Sequence, residues 1–197
     1  MNHQLTNLFL SLPSLKSKRM ALIKSISGIR GTIGGKTNDN LTPVDIVKFA
    51  AAYGSWVIQQ SSNTKIVIGR DGRISGEMVS NLVVNTLIGL GLDVVDLGLS
   101  TTPTVEMAVT FEDAAGGIIL TASHNPKEWN ALKLLNNKGE FISGDEGKLI
   151  LTAAENEDFN LDNKLQVTVS ELEGIFFFNI FLISNLLSTT TGIAAIL

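Results

Sequence analysis

Residues 117–126 read GIILTASHNP, an unbroken apolar run followed by a short polar turn. An apolar run without polar alternation is typical of a strand that is covered on both faces of a sheet. Pro126 fixes its own φ and disfavours the helical conformation at Asn125, so the turn after the strand is stiff. This stretch therefore predicts a buried strand that presents a short polar segment at its carboxyl end.

Strands and helices alternate along the chain on both sides of this stretch. Further strands are predicted at residues 23–27, 65–68, 94–97 and 132–135, where short apolar runs stand between turn signals. Capping residues and apolar spacing predict helices from Thr42 past Val57, over residues 75–90 and 104–112, and from Ser143 to about Glu155. The alternation predicts an α/β fold of three layers, α/β/α, with helices on both faces of a mostly parallel, mixed sheet.

Composition and charge exclude several classes of protein. The 197 residues are 44% hydrophobic and 17% charged, which is typical of a globular chain. The net charge of −4 lacks the positive surface that phosphate-backbone binding requires, so we expect no nucleic-acid partner. The absence of cysteine excludes disulfides, thiol catalysis and cysteine-bound zinc, and it agrees with a cytoplasmic location. Oligomeric state is left open by the sequence.

Both ends of the chain differ from the middle. In residues 1–19 the basic side chains follow the apolar patch, whereas a secretory signal places them before it, so we expect a disordered extension. Residues 174–197 carry no charge, but asparagine and serine interrupt the apolar stretch. A buried strand followed by a polar loop is therefore favoured over a membrane span, and we expect no membrane partner.

Three of the predicted loops carry unusual side chains. Sheets of this kind bind ligands outside the carboxyl ends of their strands, which directs attention to residues 27–35, 69–73 and 121–126. The first, SGIRGTIGG, is either a flexible turn or an anion-binding loop in which glycines allow close approach and Arg30 supplies a forked cation. The second, GRDGR, places Asp71 between two arginines, which favours an ion-pair network that locks the turn over an anion contact.

The third loop presents Ser123 as a candidate nucleophile on the stiff turn. The adjacent His124 suggests a Ser–His hydrolase dyad, although neighbouring residues of an extended segment point to opposite sides. The chain also lacks the G-x-S-x-G elbow of α/β-hydrolases. An ordinary loop with a surface histidine and a catalytic loop are both compatible with these residues alone.

Taken together, the three loops resemble those of the α-D-phosphohexomutases, which comprise phosphoglucosamine, phosphomannose and phosphoglucose mutases. TASHNP at residues 121–126, followed by Asn130 and Lys133, matches the serine loop of the family, and residues 27–31 and 69–73 match its other first-domain loops in the same order. The resemblance implies that residues 20–158 are the first of four domains, the phosphoserine domain I of a phosphohexomutase. Residues 159–197 would then be a linker and the incomplete start of domain II.

The resemblance assigns a role to each matching residue. Ser123 would be carried as a phosphoserine that donates its phosphoryl group to a hexose phosphate and receives the other phosphate back from the bisphosphate. Lys133 would transfer the proton of the sugar hydroxyl, and His124 would shape the site. The phosphate-binding residues that it implies are Arg30, Ser27, Gly28 and Asn125.

The resemblance also implies a Mg²⁺ ion, because a phosphoserine carries about −1.5 to −2 charges and Mg²⁺ prefers hard oxygen ligands. Ser123 would be one metal ligand, and the others would come from a second-domain loop, Asp-Gly-Asp-x-Asp-Arg, which this chain lacks. Ala131 also stands where the family usually has glycine. We therefore expect a truncated mutase that is inactive, or nearly so, by itself.

Three functions remain to be weighed. The first is a phosphoglucosamine mutase, with phosphomannomutase and phosphoglucomutase as alternatives within the family. The second is a noncatalytic fragment that binds sugar phosphate. The third is a small serine hydrolase that uses Ser123 and His124.

Overall fold

The computed structural model describes residues 22–25, 28–159 and 169–171. The predictions for residues 1–19, for Ser27 and for residues 174–197 lie outside these ranges. The strands are β1 (Ile23–Ser25), β2 (Gly28–Thr32), β3 (Lys65–Arg70), β4 (Asp93–Leu99), β5 (Gly116–Leu120), β6 (Trp129–Leu135) and β7 (Val169–Glu171). The helices are α1 (Pro43–Gln60), α2 (Gly76–Gly89), α3 (Thr102–Phe111) and α4 (Gly144–Asn156).

The strands form one sheet in the order β1-β2-β6-β5-β3-β4-β7. Strand β3 is parallel to β4 and β5, and β7 is parallel to β4. The other three pairs are antiparallel: β5 with β6, β6 with β2, and β2 with β1. Residues 121–128 between β5 and β6 are too few for the crossover that a parallel pair requires, so this half of the sheet is antiparallel. The expected mixed sheet is confirmed.

Helices cover both faces of the sheet, which confirms the three layers. The larger apolar cluster joins α1, α2 and α4 to one face, and the smaller cluster joins α3 to the other. Successive residues of β3 contribute to the two clusters in turn, since Ile66 and Ile68 belong to the larger and Val67 to the smaller. None of the helices in the described ranges has the length and hydropathy that crossing a bilayer requires.

Two helix starts follow the capping signals of the sequence. Thr42 caps α1 with Pro43 in the first turn, and the side chain of Asp45 accepts from the Thr42 backbone N–H at 3.0 Å. Ser143 and Glu146 form the expected capping box at α4. Each box pairs backbone N–H groups that have no partner inside the helix, so the sequence fixes these boundaries locally.

The glycine-rich segment at residues 27–35 was expected to be a loop, and this expectation is wrong for residues 28–32. They form β2, which pairs with β1 on one side and β6 on the other. Gly28 has a φ of 130°, and a Cβ there would lie 2.1 Å from the carbonyl oxygen of Leu132. The glycine therefore permits close approach of two strands, a requirement that depends on a partner distant in sequence.

Tyr53 ties α1 to the two strands that carry the centre of the sheet. Its hydroxyl donates to the Leu135 carbonyl oxygen at 2.8 Å and lies 3.2 Å from that of Gly117. Burial raises the pKa of the Tyr53 phenol, because the charged form would lose its hydration. The phenol therefore stays a neutral donor that holds β5 beside β6.

We predict that Gly28→Ala lowers the free energy of unfolding by roughly 2 kcal/mol, because alanine meets both the positive φ and the Leu132 carbonyl. Gly72→Ala is the matched control, since a Cβ there meets no atom within 4 Å. Urea denaturation followed by circular dichroism compares the two. Equal midpoints for both variants would show that β2 does not need its glycine.

Candidate functional site

A cavity of about 340 Å³ lies beside the carboxyl end of β5, against the antiparallel strands β2 and β6. Six of the seven predicted site residues line it: Gly28, Arg30, Ser123, His124, Asn125 and Lys133. The seventh, Ser27, lies outside the described residues. The fold thus gathers three separate segments of the chain around one concavity.

Strand register places the two basic side chains of the cavity near each other. Arg30 pairs with Ala131 across β2 and β6, and Lys133 follows Ala131 by two positions on the same face. The small Ala131 side chain lines the cavity between them. Arg30 is exposed and makes no side-chain hydrogen bond within the described ranges, so its guanidinium is available to an anion.

Lys133 is half-buried, and its amine lies beside an aromatic ring. Its Nζ is 5.9 Å from the centroid of the Phe141 ring, within the range of a cation–π contact. Phe141 reaches this place because the turn after β6 returns the chain antiparallel to Leu135. The turn has the local sequence NNKG at residues 136–139, whereas the contact with Lys133 depends on how the chain returns after it.

Ser123 has a left-handed backbone, with a φ of 55°. This conformation costs an L-residue with a side chain of this type about 1 kcal/mol, so the surrounding structure must impose it. Ser123 is exposed on the cavity, and its hydroxyl makes no hydrogen bond to any residue of the described ranges. The loop therefore fixes the backbone of Ser123 and exposes its hydroxyl to the cavity.

The Ser123 loop is held by Asp71, Arg73 and Thr121. Arg73 Nε lies 3.1 Å from Asp71 Oδ2, which confirms the predicted ion pair in the GRDGR turn. The Thr121 hydroxyl donates to the same oxygen at 2.6 Å and accepts from the Ser123 N–H at 3.0 Å. The structural interpretation of this turn is therefore correct for Asp71 and Arg73.

Sequence reasoning missed the part that Thr121 plays and the reach of Arg73 into the serine loop. The signal that would have found them is topological. Strands β3 and β5 are parallel neighbours, so the segments that follow their carboxyl ends meet at one edge of the sheet. A further contact between distant segments joins β6 to the start of α2. The buried side chain of Asn130 donates to Ser75 Oγ at 3.0 Å.

The hydrolase hypothesis lacks the contact that it requires. Within residues 22–25, 28–159 and 169–171, no hydrogen bond joins the Ser123 hydroxyl to the His124 imidazole, which is exposed. A serine hydrolase needs a base within hydrogen-bond reach of its serine and a third group that orients the base. His124 lines the cavity without meeting either condition.

The residues around Ser123 do not by themselves fit a Mg²⁺ ion. Among the described residues, no group of three or more His, Cys, Asp or Glu side chains could hold a metal ion. Ser123 offers one oxygen, and the nearby Asp71 carboxylate is already bonded to Arg73 and Thr121. The phosphoryl transfer proposed for Ser123 is therefore described through the protein side chains alone.

Comparisons with known proteins agree with this architecture. Residues 22–161 match the family model described as phosphoglucomutase/phosphomannomutase, alpha/beta/alpha domain I. A phosphoglucomutase/phosphomannomutase of Thermococcus kodakarensis is 35% identical over 133 residues, covering 66% of this chain and 29% of that protein. A phosphoglucosamine mutase of Levilactobacillus brevis is 36% identical over 121 residues, covering 59% of this chain and 26% of that protein.

A crystal structure shows the same similarity in three dimensions. The phosphoglucomutase/phosphomannomutase family protein of Burkholderia thailandensis superposes with a TM-score of 0.67 at 27% identity, covering 76% of this chain and 32% of that chain. This chain thus spans between a quarter and a third of the length of these relatives.

We predict that Ser123→Gly is more stable than Ser123→Ala by about 1 kcal/mol, because glycine adopts a positive φ without strain. Ser55, inside α1, gives the matched control, since glycine in a helix interior is less stable than alanine. Urea denaturation of the four variants measures both differences. The same order of stability at the two positions would contradict a strained backbone at Ser123.

Proposed function

The chain belongs to the phosphoglucomutase/phosphomannomutase family, and on that premise we propose that Ser123 carries a phosphoryl group to and from a hexose phosphate. The single observation that supports this best is the free Ser123 hydroxyl, which shares one cavity with Arg30 and Lys133. Its left-handed backbone fixes the direction in which the Cα–Cβ bond leaves the chain. A positioned serine beside two basic side chains is what phosphoryl transfer needs, since its catalysis is mostly positioning and charge stabilisation.

The first step that we propose is a displacement at phosphorus. A hydroxyl of the bound sugar attacks the phosphorus of phosphorylated Ser123, a new P–O bond to the sugar forms, and the bond from phosphorus to Ser123 Oγ breaks. The Lys133 amine, in its neutral form, takes up the proton of the attacking hydroxyl, and the Ser123 oxygen that leaves phosphorus takes a proton from water. The bisphosphorylated sugar then reorients, and its other phosphoryl group returns to Ser123 by the reverse exchange.

Charge in the cavity supports the binding of a doubly charged phosphate. Arg30 and Lys133 lie on one face of adjacent strands, within a chain whose net charge is −4. The guanidinium of Arg30 has the planar fork that matches phosphate oxygens, and Lys133 adds a second positive charge whenever its amine is protonated. We propose that Gly28 and Asn125 complete the walls of this phosphate site.

Hexose phosphates are the proposed substrate class. Glucosamine phosphate is the first candidate substrate, because several of the similar proteins are named phosphoglucosamine mutase. Mannose and glucose phosphates are the alternatives, since a relative named for them is similar to nearly the same degree, with 35% against 36% identity.

A noncatalytic fragment that binds sugar phosphate is the second candidate function. The open cavity and its two cations would serve such a fragment equally well. The two functions differ in one observable, which is covalent phosphate on Ser123.

We predict that the chain, incubated with glucose 1,6-bisphosphate, acquires one phosphate on Ser123, because the exposed Ser123 hydroxyl lines the cavity that would hold the bisphosphate. Peptide mass spectrometry locates the phosphate, which Ser123→Ala should abolish and the helix variant Ser55→Ala should retain. Absence of phosphate on Ser123 in the wild-type chain would favour the binding fragment. Labelling of Ser123 by a fluorophosphonate would instead support the hydrolase.

We also predict that Arg30→Gln weakens the binding of glucose 6-phosphate roughly tenfold, because one charge-assisted hydrogen bond is lost. Lys36→Gln is the control, since this lysine does not line the cavity and 84% of its side chain is accessible. Isothermal titration calorimetry at fixed ionic strength compares the variants. An equal loss for both would indicate attraction by net charge rather than by Arg30.

A further inference from the structure

We propose that Arg73 is a positioning residue, which holds Ser123 in its left-handed conformation and contacts no substrate phosphate. This inference rests on the proposed function of Ser123, but its structural part stands on contacts of Arg73 alone. An arginine close to a phosphate cavity would ordinarily be assigned to anion binding. The contacts of this arginine exclude that assignment.

Every N–H donor of the Arg73 guanidinium has a protein acceptor. Nε donates to Asp71 Oδ2 at 3.1 Å. One terminal nitrogen donates to the carbonyl oxygens of Pro126 and Trp129 at 2.8 and 2.9 Å. The other donates to those of Ser123 and Asn125 at 2.8 and 2.9 Å. Because a guanidinium has five donors, none is left for a phosphate oxygen.

The same contacts control which charges face the cavity. Carbonyl oxygens carry partial negative charge, and a carbonyl aimed into the cavity would repel a phosphate. Arg73 collects four of them from residues 123–129, and its side chain, which is only 10% exposed, does not line the cavity. The guanidinium therefore draws the negative ends of these peptide groups away from the anion.

Ser123 is held on both sides of its Cα. Its N–H donates to the Thr121 hydroxyl, which itself donates to Asp71, while its carbonyl accepts from Arg73. Fixing the N–H and the carbonyl fixes both φ and ψ, which is how the structure imposes a φ of 55° on a serine. Asp71 joins the two ends of this arrangement, because one of its oxygens accepts from both Thr121 and Arg73.

A lysine cannot replace Arg73 in this role. Its ammonium keeps the charge but offers three donors on one nitrogen, whereas the four carbonyls are met by two nitrogens of a planar fork. Arg73→Lys therefore tests geometry at constant charge. Arg70→Lys is the matched control, since Arg70 is the last residue of β3, three positions before Arg73, and all of these hydrogen bonds come from Arg73.

The test compares the 197-residue wild-type chain with both variants by triple-resonance NMR. The ¹³Cα and ¹³Cβ shifts of Ser123 report its backbone conformation, and a titration with inorganic phosphate gives Kd at the cavity. In Arg73→Lys we expect the left-handed shifts of Ser123 to be lost and Kd to rise about tenfold, because the displaced serine loop would lose about one hydrogen bond to the anion. In Arg70→Lys we expect neither change.

Each other outcome has a defined meaning. Unchanged Ser123 shifts in folded Arg73→Lys would overturn the proposal, and a weaker Kd with those unchanged shifts would show that Arg73 binds the anion itself. Lost shifts with an unchanged Kd would also overturn the link to phosphate binding. If wild type binds no phosphate, the proposed function fails, and the Ser123 shifts alone decide the positioning role.

A second variant guards against misfolding of Arg73→Lys. Thr121→Val keeps the side-chain shape but removes the hydrogen bonds to Asp71 and from the Ser123 N–H. We expect a smaller change of the Ser123 shifts in the same direction. Wild-type shifts in Thr121→Val, with Arg73→Lys unfolded, would count against the arrangement that we propose.

Discussion

The Arg73 guanidinium, bonded to one carboxylate and four main-chain carbonyls, is the interaction on which the serine loop depends. Residues 121–128 connect two antiparallel strands with neither a helix nor a tight hairpin, so most of their backbone groups have no partner in regular structure. Arg73, in the turn that follows the neighbouring strand β3, supplies partners for three carbonyl groups of this segment, those of Ser123, Asn125 and Pro126. A loop that would otherwise be satisfied by water is thereby given one conformation.

The sheet gives the site its remaining parts through strand pairing. Parallel strands β3 and β5 bring the GRDGR turn against the serine loop, while antiparallel strands β2 and β6 bring Arg30 and Lys133 to one face. The cavity lies where these two kinds of pairing meet. A mixed sheet is therefore a requirement of this site, because neither arrangement alone would place a cation pair beside the serine.

Much of the fold could be predicted because its signals are local. Thr42 and Ser143 mark helix starts, because their side chains cap backbone N–H groups three residues further along the chain. The apolar runs of β3 and β5 predict burial directly from composition. Strand β2 was missed, because its glycines have the composition of a turn and their use depends on the distant Leu132 carbonyl. The carbonyl contacts of Arg73 cross about fifty residues of sequence, so no local pattern encodes them.

The left-handed backbone at Ser123 restricts which side chains that corner of the loop accepts. Aspartate and asparagine tolerate this conformation better than other L-residues, whereas β-branched residues do not. Threonine, the other hydroxyl amino acid that commonly carries phosphate, is therefore a poor exchange for serine here. Aspartate, by contrast, tolerates this conformation, so Ser123→Asp would keep the shape of the loop while it adds one permanent negative charge at the proposed phosphate position.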